Sequence, residues 1–178
     1  MKIAIIGYSG AGKSTLAKKL SNHYGCEVIY LDKLQYLKNW VRRDKKESYD
    51  ILDEYLKTHD SWIMDGNYIH NHFWERMEQA DQIIFMNFNR FLCLYQAYKR
   101  YFTYRNKSRE SITEGCKEHM NPSFVWWILR DGRTKGSKDR YQKVIDTYKD
   151  KVVVICNHKE LEQFLKNNGI GNEEVSDV

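Results

Sequence analysis

The sequence predicts an α/β protein, a parallel sheet with helices on both faces. Three observations carry that expectation. Short apolar runs recur along the 178 residues, at 3–7, 27–31, 61–64, 82–88 and 151–156. Stretches with helical spacing of apolar residues alternate with those runs, and strands alternating with helices close into a parallel sheet. The first run also leads straight into Gly7-Tyr-Ser-Gly10-Ala-Gly12-Lys13-Ser14, a glycine-rich turn set between a strand and a helix.

Residues 3–7 read as a buried first strand, with Ile3, Ala4, Ile5 and Ile6 in a row, and 13–24 as the first helix. Residues 27–31 read as a second strand ending at Asp32. Residues 45–58 carry Tyr49, Leu52, Tyr55 and Leu56 close to helical spacing. A third strand at 61–64 is stopped by Asp65-Gly66-Asn67, and a short helix is expected over 69–79. A fourth strand at 82–88 precedes a long helix over 90–104. Pro122, the only proline, opens a helix reaching Arg130, and another follows at about 138–148. The run 151–156 is a fifth strand, 159–167 the last helix, and 169–178 a polar, frayed tail. Residues 104–120 interrupt the alternation with a basic, strand-poor excursion. Such a long irregular segment in a compact domain is usually functional, often a lid.

The glycine-rich turn matches the phosphate-binding P-loop in its required context. Gly7 and Gly12 permit backbone angles that side chains resist. The loop N–H groups of Gly7, Ser9, Gly10, Ala11, Gly12, Lys13, Ser14 and Thr15 then wrap a polyphosphate, and the following helix points its N-terminus at the same anion. Lys13 reaches the β- and γ-phosphates, and the Ser14 hydroxyl is a Mg²⁺ ligand.

Composition narrows the function class. An apolar share of 42% is ordinary for a globular domain, and no run approaches the roughly 18 residues needed to span a bilayer. The strand at the N-terminus argues against a signal peptide. Cys26, Cys93, Cys116 and Cys156 are scattered, so they read as reduced, mostly buried thiols. The net charge is +5, yet residues 98–143 hold 12 basic and 5 acidic residues, so the whole positive excess sits in that segment. It neutralises phosphates or docks on nucleic acid.

Several further residues carry chemistry. Asp65, at the end of the third strand, holds Mg²⁺, contacts an acceptor, or simply makes a good turn with Gly66 and Asn67. Asp32, at the end of the second, orients an acceptor hydroxyl or acts as a base; a helix cap or a surface charge is the plain alternative. Arg76, Arg100, Arg105 and Arg109 are the arginine candidates, because phosphoryl transfer needs positive charge on the equatorial oxygens. His70 and His72 are two apart and are read as surface side chains, not as a metal pair. Trp126, Trp127 and the tyrosines of 95–104 are read as packing residues.

These residues together resemble a family. The chain is similar to P-loop kinases of the adenylate-kinase-like group, and within it to the bacterial proteins called DNA topology modulation (FlaR-like) proteins. The resemblance covers residues 1–165. It rests on 7–15, on Leu31-Asp32 with Trp40 following, and on Trp62-Ile-Met-Asp65-Gly66-Asn67-Tyr68. It continues through 80–85, 90–94, Arg105-Asn-Lys107-Ser-Arg109 and Glu114-Gly115-Cys116-Lys-Glu118. It implies a three-layer fold whose five-stranded parallel sheet has the order 2-3-1-4-5. It also implies an acceptor region at about 32–60 and a lid at about 104–121. By position, Asp32 and Asp65 match the family's strand-end acids, and Arg100, Arg105 and Arg109 its hinge and lid basic residues. Asn157 or His158 lies where such kinases touch adenine. The chain departs from the family at Asn87 and Asn89, where Asp and Pro are usual. It also lacks a proline before Trp40 and another after Arg109.

The expectation is a single domain over 1–168 with a tail at 169–178, cytoplasmic, away from membranes, monomeric or dimeric. It would be a Mg²⁺-ATP-dependent phosphotransferase acting on a small acceptor, a nucleotide or nucleoside foremost. Lys13, Asp32, Arg100, Arg105 and Arg109 are the expected catalytic residues, and Ser14 and Asp65 the metal ligands. The alternatives are an ATP-binding regulator that acts on nucleic acid, and a retired kinase that keeps ATP as a structural element. The sequence has no helix-turn-helix, zinc-finger or RNA-binding signature.

Overall fold

The structure is a computed structural model that describes residues 1–105 and 109–171. Along the chain run β1 (Lys2–Gly7), α1 (Lys13–Tyr24), β2 (Val28–Tyr30), α2 (Leu31–Gln35), β3 (Tyr36–Leu37), β4 (Val41–Arg42), α3 (Lys45–Thr58) and β5 (Trp62–Asp65). Then come α4 (Phe73–Gln79), β6 (Gln82–Met86), α5 (Arg90–Tyr104), α6 (Pro122–Leu129), α7 (Lys135–Thr147), β7 (Val152–Ile155) and α8 (His158–Asn167).

Strand β1 is buried from Ile3 to Ile6 because it is central, with β5 on one side and β6 on the other. A strand covered on both faces needs a continuous apolar run and not an alternating one. The sheet reads β2-β5-β1-β6-β7, and every pairing in it is parallel. The expected order 2-3-1-4-5 changes in numbering because β3 and β4 form a separate antiparallel hairpin. At two residues each, they are too short to show a periodicity. Parallel register brings the C-terminal ends of β1, β2 and β5 together, with Asp65 opposite Ile5 on one side and Tyr30 on the other.

Helix α1 packs Leu16, Ala17 and Leu20 on the sheet. Each buried leucine contributes about 1.5–3 kcal/mol. Trp62 and Phe88 are fully buried within the same core. Caps fix the helix starts. Asp44 accepts from the N–H groups of Lys46 and Glu47, Asn89 from Phe91, and Asn121, followed by Pro122, from Phe124. Such caps stabilise a helix by about 1 kcal/mol.

Three expectations shift. Asp32 lies beyond β2, in the first turn of α2. The helix expected from 69 begins at Phe73, because His72 adopts a left-handed φ of 49° just before it. The tail is ordered past 169: Gly169 turns left-handed, and buried Ile170 donates its N–H to the Leu165 carbonyl at 2.9 Å. Residues 172–178 lie outside the described residues. In the expected lid, 109–121 form neither helix nor strand. The remainder of its irregular stretch, 106–108, lies outside the described residues. Among the described residues, no helix is long and apolar enough to cross a membrane.

Candidate active site

The phosphate loop is set by its backbone. Gly7, Gly10 and Gly12 have φ of 140°, 81° and 88°. A Cβ on Gly7 would stand 2.4 Å from the Met86 carbonyl oxygen, and one on Gly10 2.3 Å from that of Cys93. Both glycines are therefore required by contact as well as by φ. Helix α1 begins at Lys13, with no acidic residue in its first turn, so its positive end is left open to an anion. The Lys13 ammonium donates to the Tyr8 carbonyl at 3.1 Å. Asn67 fastens the base of the loop: its Oδ1 accepts from the Gly7 N–H at 2.9 Å, and its Nδ2 donates to the Gly7 carbonyl.

The Ser14 hydroxyl donates to Asp65 Oδ2 at 2.6 Å. Burial raises the Asp65 carboxyl above the ordinary range, while Lys13 and the Ser14 hydrogen bond act in the opposite direction. A hydroxyl and a buried carboxyl group thus meet at a helix N-terminus beside a lysine, and this set fits Mg²⁺ and a polyphosphate. Ala11 is buried in the loop, Thr15 is exposed, and the Ser9 hydroxyl accepts from the Trp127 indole N–H at 3.3 Å.

A second centre lies at the end of β2. Tyr68 donates its hydroxyl to Asp32 Oδ1 at 2.6 Å. Burial, and then the neighbouring Asp32 charge, push the Tyr68 phenol far above its usual value, so it stays a donor. The loop carrying Tyr68 is tied by Arg76, which is fully buried. Its guanidinium donates to the carbonyls of Asn71 at 3.0 Å, Gly66 at 3.3 Å and Tyr68 at 3.2 Å. Burial lowers its pKa to about 9. Arg76 thus supports the loop from within.

The third part joins α5 to the segment 109–118. Arg109 Nε donates to the Glu118 carboxylate, its Nη1 to Ser111 Oγ at 2.5 Å, and Arg100 Nε lies 3.3 Å from the same Glu118 oxygen. Burial, followed by repulsion from Arg109, lowers the pKa of Arg100. Arg105 is exposed at the end of α5, and among the described residues no hydrogen bond or ion pair joins it to this cluster. The segment is fastened to the β3–β4 hairpin. Thr113 donates to the Tyr36 carbonyl at 2.5 Å, Cys116 Sγ to that of Leu37 at 3.3 Å, and the Trp40 indole to that of Lys117 at 2.9 Å. Lys18 of α1 meets Glu110 at 2.9 Å. A cleft of about 440 Å³ opens here, lined by Lys33, Arg109, Glu110, Ile112, Thr113 and Glu114. A larger depression of about 720 Å³ lies along α8 and includes none of these groups.

The structure thus joins Ser14 with Asp65, and Arg100 with Arg109, and leaves Arg105 apart. Some readings fail. Trp126 and Trp127 are about half exposed, and Tyr95 and Tyr98 are 65% and 41% exposed, so none of these is buried in the core. His72 is buried, unlike exposed His70. Cys93 and Cys116 are buried, but Cys156 is exposed and Cys26 only partly covered. Asn157 caps α8 by accepting from the Glu160 N–H at 3.0 Å, while His158 meets Gln96 at 2.7 Å. Sequence reasoning gave Asn67 only a turn, Trp127 only packing, and Tyr68 and Glu118 no role. Asn67, Tyr68 and Glu118 lie inside segments that carried the family resemblance, which was their only signal.

With this geometry in place, comparison with known proteins fixes the family. An AAA domain model matches residues 3–174, nearly the whole chain. The chain belongs to that family. Its fold is shared with solved structures at low identity. A deoxyadenosine kinase from M. mycoides with bound dATP is 17% identical, with a TM-score of 0.55, covering 95% of this chain and 99% of that one. The same enzyme with products dCMP and dCDP is 19% identical, with a TM-score of 0.51, covering 96% and 100%. TT1252 from Thermus thermophilus is 16% identical, with a TM-score of 0.54, covering 94% and 95%. A search of curated proteins found no match. The AAA-domain family chain is thus a P-loop NTPase-like protein with a kinase-like α/β fold.

Proposed function

We propose that this protein is a Mg²⁺-ATP-dependent phosphotransferase whose acceptor is a nucleoside or nucleotide. The observation that carries this reading is the Ser14–Asp65 contact at 2.6 Å beside Lys13, with the Tyr68–Asp32 pair at the adjoining strand end. One centre suits a triphosphate donor, the other a hydroxyl acceptor. In open α/β sheets the ligand crevice lies at these carboxyl ends of the strands. The deoxyadenosine kinases that share the fold favour the nucleoside class. The resemblance to P-loop kinases of the adenylate-kinase-like group favours the nucleotide class.

In this reading the loop N–H groups hold the β-phosphate, and Lys13 swings from the Tyr8 carbonyl to the β- and γ-phosphates. Mg²⁺, bound by Ser14 and Asp65, supplies charge neutralisation on the donor phosphates. Asp32, held by the Tyr68 hydroxyl, orients the acceptor hydroxyl and takes its proton. The acceptor oxygen bonds to the γ-phosphorus as the bond to the β,γ-bridging oxygen breaks, leaving ADP. Arg100 and Arg109 face the charge that spreads over the equatorial oxygens. Glu118 holds these two cations side by side until the substrates arrive.

The test is phosphoryl transfer from Mg²⁺-ATP to a panel of nucleosides and nucleoside monophosphates, with the product read by mass. A product heavier by one phosphoryl group, absent with Lys13→Ala, supports the reading. No product from any acceptor contradicts it. A second reading, an ATP-dependent regulator on nucleic acid, draws on the basic 98–143 segment and on exposed Phe91, Tyr95, Tyr98 and Phe102 along α5. Salt-dependent retention on duplex DNA, with plasmid alone stimulating ATP turnover, would favour it.

A further inference from the structure

A cluster on the outer side of the acceptor region takes no part in the chemistry above. His72 sits at the N-cap position of α4 with its side chain 2% exposed. Its ring stacks on Tyr49 at 3.7 Å between centroids, with 25° between planes, so its orientation is fixed. Nδ1 lies 2.5 Å from Glu75 Oε2. That partner sets Nδ1 as the donor. Nε2 is buried without a hydrogen-bond partner and points toward Asp53, with Oδ1 3.9 Å away. Lys57 engages the other Asp53 oxygen at 2.5 Å, so Oδ1 is the one presented to the ring. Among the described residues, ligand atoms of Asp53, His72 and Glu75 lie within 4.8 Å of one another.

Nε2 and Asp53 Oδ1 face each other across 3.9 Å, a gap too long for a hydrogen bond. An ion between them draws the two atoms slightly together: with bonds of about 2.0–2.2 Å at tetrahedral angles, two ligand atoms on one ion stand about 3.3–3.6 Å apart, a few tenths of an ångström less than this gap. A carboxylate on the far nitrogen is also the usual support of a metal-bound imidazole, since it fixes the tautomer and raises ligand basicity.

We propose that His72 Nε2 and Asp53 Oδ1 bind a divalent first-row transition metal, with Zn²⁺ as the reference ion. Glu75 is the positioning residue, and water completes the coordination. The ion fastens α3, which carries Asp53, to the start of α4. It is separate from the Mg²⁺-nucleotide centre and does not depend on the proposed activity.

Zn²⁺ is titrated calorimetrically into the full metal-free chain without nucleotide, and the thermal midpoint is followed in parallel. The wild type binds one ion at this site and melts at a higher temperature with Zn²⁺. Asp53→Asn, a partly exposed change, weakens that binding at least 100-fold, and Glu75→Gln weakens it about 10–100-fold. His72→Asn, chosen because asparagine tolerates left-handed φ, abolishes it. Co²⁺ in place of Zn²⁺ gives a spectrum of nitrogen and oxygen ligands without thiolate charge transfer, which separates this site from the free cysteines. Zn²⁺ that gives no heat and no melting shift overturns the proposal and leaves a proton between the two carboxylates. Affinity unchanged in Asp53→Asn overturns it equally.

Discussion

The two sides of the site, donor and acceptor in the proposed reading, are held together in different ways. The phosphate loop owes its shape to backbone geometry: three left-handed or extended-positive glycines, a helix start, and steric limits at Gly7 and Gly10 set by neighbouring carbonyls. The acceptor side is assembled by side-chain bonds across long stretches of chain. Tyr68 reaches Asp32, Thr113 reaches the Tyr36 carbonyl, and Glu118 gathers Arg100 and Arg109. Backbone geometry is all-or-none, whereas side-chain bonds can be removed singly. Changes on the donor side should therefore abolish binding, and changes on the acceptor side should grade the rate.

The largest effect is expected at Lys13. Lys13→Ala should remove detectable ATP binding by calorimetry and lower turnover by 10²–10³-fold or more. Retained affinity would break the comparison at its stronger end. Next come the two arginines that share Glu118. Arg100→Ala with Arg109→Ala should cut kcat by about 10²–10³-fold while the KM for ATP changes little. Arg105→Ala should stay within a few-fold of wild type, and equal losses in the two variants would dissolve the cluster as a unit.

A smaller effect sharpens the acceptor side. Tyr68→Phe removes one hydrogen bond to an ionised group, worth about 1.5–3 kcal/mol. It should lower kcat with the acceptor by about tenfold or somewhat more and leave ATP affinity unchanged in a binding assay. The smallest effect concerns pH. Burial raises the Asp65 pKa, so in the metal-free protein its contribution to stability is present at low pH and is lost as pH rises through the raised value. Asp65→Asn should accordingly melt at or slightly above the wild-type temperature at neutral pH while losing Mg²⁺-dependent turnover. In the wild type the Mg²⁺ requirement should climb as pH falls toward the raised pKa, above the range where an ordinary aspartate titrates.

What was legible in the sequence follows the same division. The loop could be read because Gly7, Gly12, Lys13 and Ser14 lie in one short window and act through local geometry. The five sheet strands could be read because burial on both faces writes continuous apolar runs such as Ile3–Ile6. The β3–β4 hairpin left no pattern, being two residues on each side. Arg76 could not be told from the lid arginines by residue type, since only its burial turns it toward carbonyls. Tyr68 and Glu118 act on partners distant in sequence, so their neighbours gave no hint of the bond. The exposed aromatics of α5 were misread because an aromatic stripe at helical spacing is written identically whether the helix faces the core or the solvent. His72 was misread because the local turn, not the helix, sets its direction.

The central claim is that one half of the site delivers a phosphoryl group and the other half receives it. The most direct test measures ADP release from Mg²⁺-ATP, with and without each acceptor, in the wild type and in Asp32→Asn. The account predicts that one nucleoside or nucleotide raises the wild-type rate above the no-acceptor rate, and that Asp32→Asn binds ATP as wild type does but loses that stimulation. Stimulation that survives in Asp32→Asn, or ATP binding with no acceptor able to raise the rate, would contradict it.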